Sequence, residues 1–223
     1  SYKAALANLP LGGGKTVLMR PKQLSDRSAY FRALGRFVNE LKGRYIIAMD
    51  SGVLIEDMDS IALETPYVVT TSKHKGNQAA VKFKLQRDDL EGLHVAIQGM
   101  GHVGLALANA LRKKGAHLTI CDNNVDLVQR AKDLGAKVVA PDEIYSVECD
   151  VFSPCALGAV LNDRSIPKLK TAIVAGSANN QLAEPRDAEL LQKKDILYAP
   201  DYVINAGGLI YAYAEYQNRL NRE

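Results

Sequence analysis

The stretch from Leu93 to Asp122 constrains this chain more than any other. An apolar run, Leu93–Gln98, leads into Gly99-Met100-Gly101-His102-Val103-Gly104. Helix-forming residues Val103–Lys114 follow, and a second apolar run, Leu118–Cys121, ends at Asp122. The glycines have separate physical tasks. Gly99 permits a tight turn, Gly101 lets a pyrophosphate approach the backbone, and Gly104 lets helix and strand pack closely. The start of the helix, at His102 and Val103, offers free N–H groups and partial positive charge to a phosphate. Asp122, roughly 20 positions after Gly101, is placed to accept hydrogen bonds from ribose hydroxyls. A glycine turn without a ligand is the competing reading, but it leaves two strands, a helix and an acid in register by coincidence. The placement of Asp122 favours NAD over NADP; Asn123 and Asn124 supply no arginine for a ribose phosphate, although a basic group from elsewhere in the chain could supply one.

Strands and helices go on alternating. Short strands are predicted at Lys137–Val139, Cys149–Ser153, Ala172–Ala175 and Ile196–Ala199, with helices at Val125–Leu134 and Arg186–Lys194. That order predicts an α/β fold, a Rossmann-type doubly wound parallel sheet over residues 92–205. Ahead of it, Ala29, Ala33, Leu34, Phe37, Val38 and Leu41 recur at helical spacing, with Ser25 or Asp26 to cap the start and Gly43 to close the end. A short strand, Tyr45–Ala48, then delivers Met49 and Asp50 to a strand end, a common place for site residues. Residues 1–72 are expected to form part of a smaller α/β domain for substrate binding and assembly. Residues 73–91 have the polarity of a hinge, and 206–223 form a helix returning toward the first domain.

Composition narrows the partners. The 28 basic and 25 acidic residues are mixed along the chain, so no basic stripe or acidic tail points to nucleic acid or membrane, and a small molecule is the default partner. No apolar run approaches the roughly 20 residues of a membrane span. Cys121, Cys149 and Cys155 cannot all pair and lack metal-site spacing, which predicts buried free thiols in the cytoplasm and no metal. Ser1-Tyr2-Lys3-Ala4-Ala5 opens directly in helix formers, without a leader, and an N-terminal portion is expected to be missing.

Leu11-Gly12-Gly13-Gly14-Lys15-Thr16 lacks the spacing of a phosphate loop. Three glycines let a small substrate lie against the backbone beside Lys15. A lysine buried next to a second cation, for which Lys3 is the candidate, falls below its ordinary pKa of about 10.4 and becomes available for proton transfer. Taken alone, the same residues fit an ordinary surface turn equally well.

Six motifs in order change that balance. Tyr2-Lys3-Ala4-Ala5, Leu11–Thr16, Ala48-Met49-Asp50, Pro154–Ala159, Ala175–Gln181 and Asp201–Gly208 together resemble the glutamate, leucine, phenylalanine and valine dehydrogenase family, nearest its leucine branch. The resemblance implies that Lys3 binds a substrate carboxylate, that Lys15 is the catalytic lysine and that Asp50 is the catalytic aspartate. Gly12, Gly13 and Ala48 would line the substrate, with Leu209 and Ala212 forming its side-chain pocket. Cys155, Ala156, Asn179 and Asn180 match the cofactor-side segments, while the Asn205 backbone carbonyl matches an acceptor for the substrate amino group. The implied reaction is NAD-dependent oxidative deamination of an apolar amino acid to a 2-oxo acid and ammonia, by a homo-oligomer of two to eight subunits. Alanine at 212 offers nothing to a second carboxylate, so leucine, isoleucine or valine is expected; phenylalanine remains an alternative. The family also carries about twelve or more residues between Asn77 and Gln78 that are absent here.

Two rivals remain. One is a non-catalytic NAD-responsive module. The other, a hydroxy acid dehydrogenase, needs a histidine near an arginine, and none of His74, His94, His102 and His117 sits at such a strand end.

Overall fold

The structure, a computed structural model, describes residues 2–19, 21–50, 52–69, 81 and 84–220, with parts of the last helix described by backbone alone. Two compact units emerge, Ser1–Lys73 with Ala206–Glu223, and His74–Asn205. The junction between Asn77 and Gln78 lies outside the described residues.

In the first unit, α1 (Tyr2–Leu6) and α2 (Arg27–Glu40) are followed by β1 (Ile47–Ala48), α3 (Ile55–Ala62) and β2 (Val68–Val69). The Asp26 carboxylate accepts from Ala29 N–H at 2.8 Å and caps α2. Phe31, Leu34, Gly35 and Val38, at helical spacing, form its buried stripe. A Cβ on Gly35 would lie 2.8 Å from the Ile61 carbonyl oxygen, so the glycine lets α2 and α3 approach backbone to backbone. Phe31, Leu34, Val38, Ile47, Met58, Ile61 and Val68 close the core. The predicted strand Tyr45–Ala48 shortens to Ile47–Ala48, because its parallel partner offers only Val68 and Val69. The sequence predicted neither α3 nor β2. The C-terminal helix, Gly207–Leu220, packs against β2 and α1.

The second unit is a six-stranded parallel sheet. Its strands are β3 (His94–Gln98), β4 (His117–Cys121), β5 (Lys137–Val138), β6 (Glu148–Pro154), β7 (Lys170–Val174) and β8 (Leu197–Tyr198), in the order β5-β4-β3-β6-β7-β8. The chain steps outward from β3 to β5, then crosses back to β6, which creates a topological switch point between β3 and β6. Helices α4 (His102–Lys113), α5 (Val125–Asp133), α6 (Asp187–Lys193) and α7 (Asp201–Ile204) connect or follow the strands. Val95 and Ile97 of β3 join Ala108, Leu111, Leu118 and Ile120 in one core. Ala96 faces a second core with Phe152, Leu161, Val174 and Leu191. Covering both faces explains why these strands read as continuous apolar runs.

All three thiols are free, but only Cys121 is fully buried; Cys149 and Cys155 are half-buried. Burial pushes the thiols of Cys121 and Cys149 up to about 11, far from the thiolate that reacts or binds metal. No helix of the described residues is long and apolar enough to cross a membrane.

Candidate functional site

The glycine turn closes β3 onto α4. Gly99, at φ +93°, donates its N–H to the Cys121 carbonyl, and Cys155 N–H donates to the Gln98 carbonyl at 2.7 Å, so the turns after β3, β4 and β6 are stitched together at the switch point. A Cβ on Gly99 would meet Ala156 N at 2.8 Å, and one on Gly104 would meet the Gly99 carbonyl oxygen at 2.0 Å. Gly101 differs, because a Cβ there would meet nothing within 4 Å. The first helical hydrogen bond of α4 runs from Leu105 N–H to Gly101 O, which leaves the N–H groups of His102, Val103 and Gly104 ahead of the ladder. Two of the three glycines are thus needed by the fold itself, while a Cβ on the third would meet nothing within 4 Å at a helix N-terminus, an arrangement that could hold an anion.

Asp122 is held ready. One carboxylate oxygen accepts from Met100 N–H at 2.6 Å and the other from Asn124 N–H at 2.8 Å. Each oxygen keeps a lone pair, so the acid can serve the turn and still receive a ribose hydroxyl. His102 is exposed.

A second cradle lies on the loops after β6 and β7. A Cβ on Gly158 would meet the carbonyl oxygens of Asn179 and Asn180 at 2.5 Å. Asn180, left-handed at φ 51°, donates its N–H to the Asp201 carboxylate at 2.9 Å, and Ala159 N–H donates to the Asn180 carbonyl at 2.6 Å. Buried Asn205 donates its amide N–H groups to the Ser177 carbonyl at 3.1 Å and to Asn179 Oδ1 at 2.9 Å. A carbonyl can only accept, so this pairing fixes which end of the Asn205 amide is NH2. Its Oδ1 is buried without a partner, an open acceptor of the kind a carboxamide or ammonium donor would satisfy. The sequence pointed to the Asn205 backbone carbonyl and missed this side-chain oxygen, as it missed Asp201.

In the first unit, Lys15 and Asp50 form an ion pair across the glycine loop and the end of β1. Tyr45 holds the loop. Thr16 Oγ1 donates to its hydroxyl at 2.9 Å, and a Cβ on Gly14 would lie 2.9 Å from a ring carbon, so Gly14 packs directly against the ring. No spacing signal marks Tyr45 for this task. One expectation is corrected: the Lys15 side chain is 65% exposed and its ammonium is paired with a carboxylate, rather than buried against a second cation. The glycine loop is itself at the surface, and burial of Lys15 would have required packing that the described residues do not place over it. Lys3 is half-buried on α1, Gly12, Gly13 and Ala48 are exposed, and Leu209 is half-buried. The side chain of Ala212 lies outside the described residues.

A doubly wound sheet with this turn and this acid defines a nicotinamide-dinucleotide-binding domain of the dehydrogenase class. Comparison with known proteins is more specific. The Glutamate/Leucine/Phenylalanine/Valine dehydrogenase model matches residues 119–223, and the Glu/Leu/Phe/Val dehydrogenase dimerisation domain matches residues 1–67. The NAD-binding domain of D-isomer-specific 2-hydroxyacid dehydrogenases matches residues 59–161. Leucine dehydrogenase of Thermoactinomyces intermedius is 49% identical over 227 residues, covering 94% of this chain and 62% of the relative. Phenylalanine dehydrogenase of Lysinibacillus sphaericus is 39% identical, covering 94% and 61%. The crystal structure of L-tryptophan dehydrogenase from Nostoc punctiforme superposes with a TM-score of 0.75 at 42% identity, covering 97% of this chain and 66% of that one. The chain belongs to the Glu/Leu/Phe/Val dehydrogenase family. It spans about 62% of the length of its leucine dehydrogenase relatives.

Proposed function

We propose that this chain carries the working groups of an NAD-dependent dehydrogenase that oxidatively deaminates a branched-chain amino acid. The observation that carries the reading is the Lys15–Asp50 ion pair on a glycine loop, in a chain whose other unit is a dinucleotide-binding domain. Binding the substrate α-carboxylate falls to Lys3. Lys15 polarises the carbonyl that develops at the α-carbon and activates the attacking water, while Asp50 takes up and returns protons at the amino group and the carbinolamine. The bound dinucleotide supplies the hydride acceptor, held by Gly99, Gly101, Gly104 and Asp122 with the loops at Cys155–Ala156 and Asn179–Asn180. NAD rather than NADP is favoured by the free lone pairs of Asp122. Overall, amino acid, water and NAD+ give 2-oxo acid, ammonium, NADH and one proton. Leucine, valine and isoleucine are the proposed substrates, on the relatives' names and on the apolar character of Leu209 and Ala212.

A homo-oligomer, from a dimer up to an octamer, is proposed because the matched N-terminal model is a dimerisation domain. Three free thiols support a cytoplasmic setting. NADH formation with leucine, valine, phenylalanine and glutamate tests the reading. Lys15→Ala is expected to abolish turnover while NADH binding, followed by fluorescence, stays within about threefold. Strong residual turnover in that variant would sink the mechanism, and an inactive wild type that binds NADH would favour the binding module instead.

A further inference from the structure

The turn that carries Asp50 is held from outside the proposed site. Arg27, the first residue of α2, donates through Nε and Nη2 to both carboxylate oxygens of Asp57, each at 2.7 Å, and through Nη2 to the Gly52 carbonyl at 3.1 Å. Asp57 is 3% exposed and also accepts from Leu54 N–H at 2.7 Å. Val53 N–H returns to the Asp50 carbonyl at 3.2 Å, and one ion pair grips the residues that follow at Gly52 and at Leu54. Gly52 sits at φ +80°, where a Cβ would meet nothing within 4 Å, so these hydrogen bonds are the contacts that hold its carbonyl in place. The guanidinium is itself anchored 5.1 Å above the ring of Phe31, a core residue.

We propose that Arg27 and Asp57 are positioning residues, which fix the Asp50 turn and so hold the Asp50 carboxylate against Lys15. A planar guanidinium satisfies two carboxylate oxygens and a carbonyl at once, and a lysine in its place cannot. The kinetic consequence rests on the deamination reading, but the geometric claim does not.

The test compares wild type, Arg27→Lys, Asp50→Asn, and Arg27→Met combined with Asp57→Asn. The double variant removes both charges without stranding either one, and the asparagine still accepts from Leu54 N–H. Two readouts are taken: kcat and KM with leucine and NAD, and the rate of Lys15 acetylation by a small anhydride, followed by mass spectrometry. In the double variant, kcat is expected to fall about 10- to 100-fold with KM for NAD within about twofold, because misplacing a reacting group by about 1 Å costs up to that much. Lys15 acetylation is expected to speed up toward the Asp50→Asn rate as the ammonium loses its partner. Arg27→Lys is expected to restore neither value fully. A folded double variant with kcat and Lys15 labelling both at wild-type values overturns the proposal. Should that variant fail to fold, Arg27→Lys decides on the same two readouts, and wild-type values overturn it equally. If the wild type deaminates nothing, the functional reading fails by itself, and the labelling rates alone then decide whether the Arg27 clamp holds Asp50.

Discussion

Gly101 and Gly104 occupy the same turn yet should fail in opposite ways when given a methyl group. At Gly104 a Cβ would stand 2.0 Å from the Gly99 carbonyl oxygen and 2.9 Å from its carbonyl carbon, both backbone atoms of a turn pinned by hydrogen bonds to Cys121 and Cys155. Relief requires α4 to lift from β3, at about 1–3 kcal/mol for overpacking. At roughly 2–4 °C per kcal/mol for a chain of this size, the melting temperature should drop by about 2–12 °C. At Gly101 the Cβ meets nothing within 4 Å, and the residue has φ −60° and ψ −170°, extended backbone open to any residue. Gly101→Ala should therefore leave stability unchanged or raise it by about 0.4–1 kcal/mol through the unfolded state. The methyl group fills the space a pyrophosphate needs, and the lost charge-assisted hydrogen bonding is worth about 1.5–3 kcal/mol, a rise of roughly 10- to 150-fold in the NADH Kd. Fluorescence titration of NADH and thermal melts on both variants measure the two effects separately. Wild-type NADH affinity in a folded Gly101→Ala protein would refute the assignment of that space to the cofactor.

Other consequences follow from groups on the same two units. Asp201→Ala frees the Asn180 N–H that the carboxylate now accepts and should raise the NADH Kd about tenfold with little change in the far-UV circular dichroism; unchanged affinity would show that the Asn179–Asn180 loop holds itself. The Arg27 guanidinium holds the Asp57 carboxyl below its ordinary value of 3.8. A depressed acid stabilises the fold fully above its unfolded value and loses that contribution as pH falls through the lower folded value, so wild-type stability should decline below about pH 4. Denaturant melts of Asp57→Asn should show a flatter decline over the same range, and a parallel curve would contradict the linkage. Tyr45→Phe removes the acceptor of Thr16 while keeping the ring over Gly14, and is expected to lower kcat by less than tenfold, whereas Tyr45→Ala, which also strips the ring from the loop, should lower it further.

The second unit was legible because its signals are local. A strand buried on both faces is a continuous apolar run, a glycine turn follows it directly, and the acid arrives at the end of the next strand; each boundary in β3, α4 and β4 falls within one residue of its sequence prediction. The first unit was legible where periodicity was long, in α2 and in the C-terminal helix, and in part at the short strand before Asp50. Helix α3 spans eight residues, three of them acidic, and β2 two, too short for a period to rise above its neighbours. Contacts between residues far apart in sequence left no mark at all. Tyr45 lies 29 positions from Thr16 and Arg27 lies 30 from Asp57, so neither partner advertises the other. The environment of Lys15 was misjudged for the same reason, since burial is decided by whatever other segments cover a residue, and a glycine-rich loop says only that a close approach is permitted.

Exposure of the Lys15–Asp50 pair bears on what must organise it. With side chains 65% and 51% exposed, the two charges sit in a high dielectric, where an ion pair contributes less than about 1 kcal/mol and does little to hold long side chains in one geometry. Order must then come from the backbone on either side. On the lysine side, Gly14 packs against the Tyr45 ring and Thr16 is bonded to its hydroxyl; on the aspartate side, the turn is gripped through Gly52 and Leu54 by a bidentate pair whose carboxylate is buried and whose guanidinium is partly exposed. The strong interactions of the first unit are thus one step removed from the charges that would do chemistry. Those charges are weakly coupled in water, and under the proposed function they would strengthen once a substrate excluded it, since the same separation is worth several times more at low dielectric. A site built this way keeps its reacting groups solvated until substrate arrives, and changes at Tyr45, Arg27 or Asp57 should therefore affect turnover more than binding.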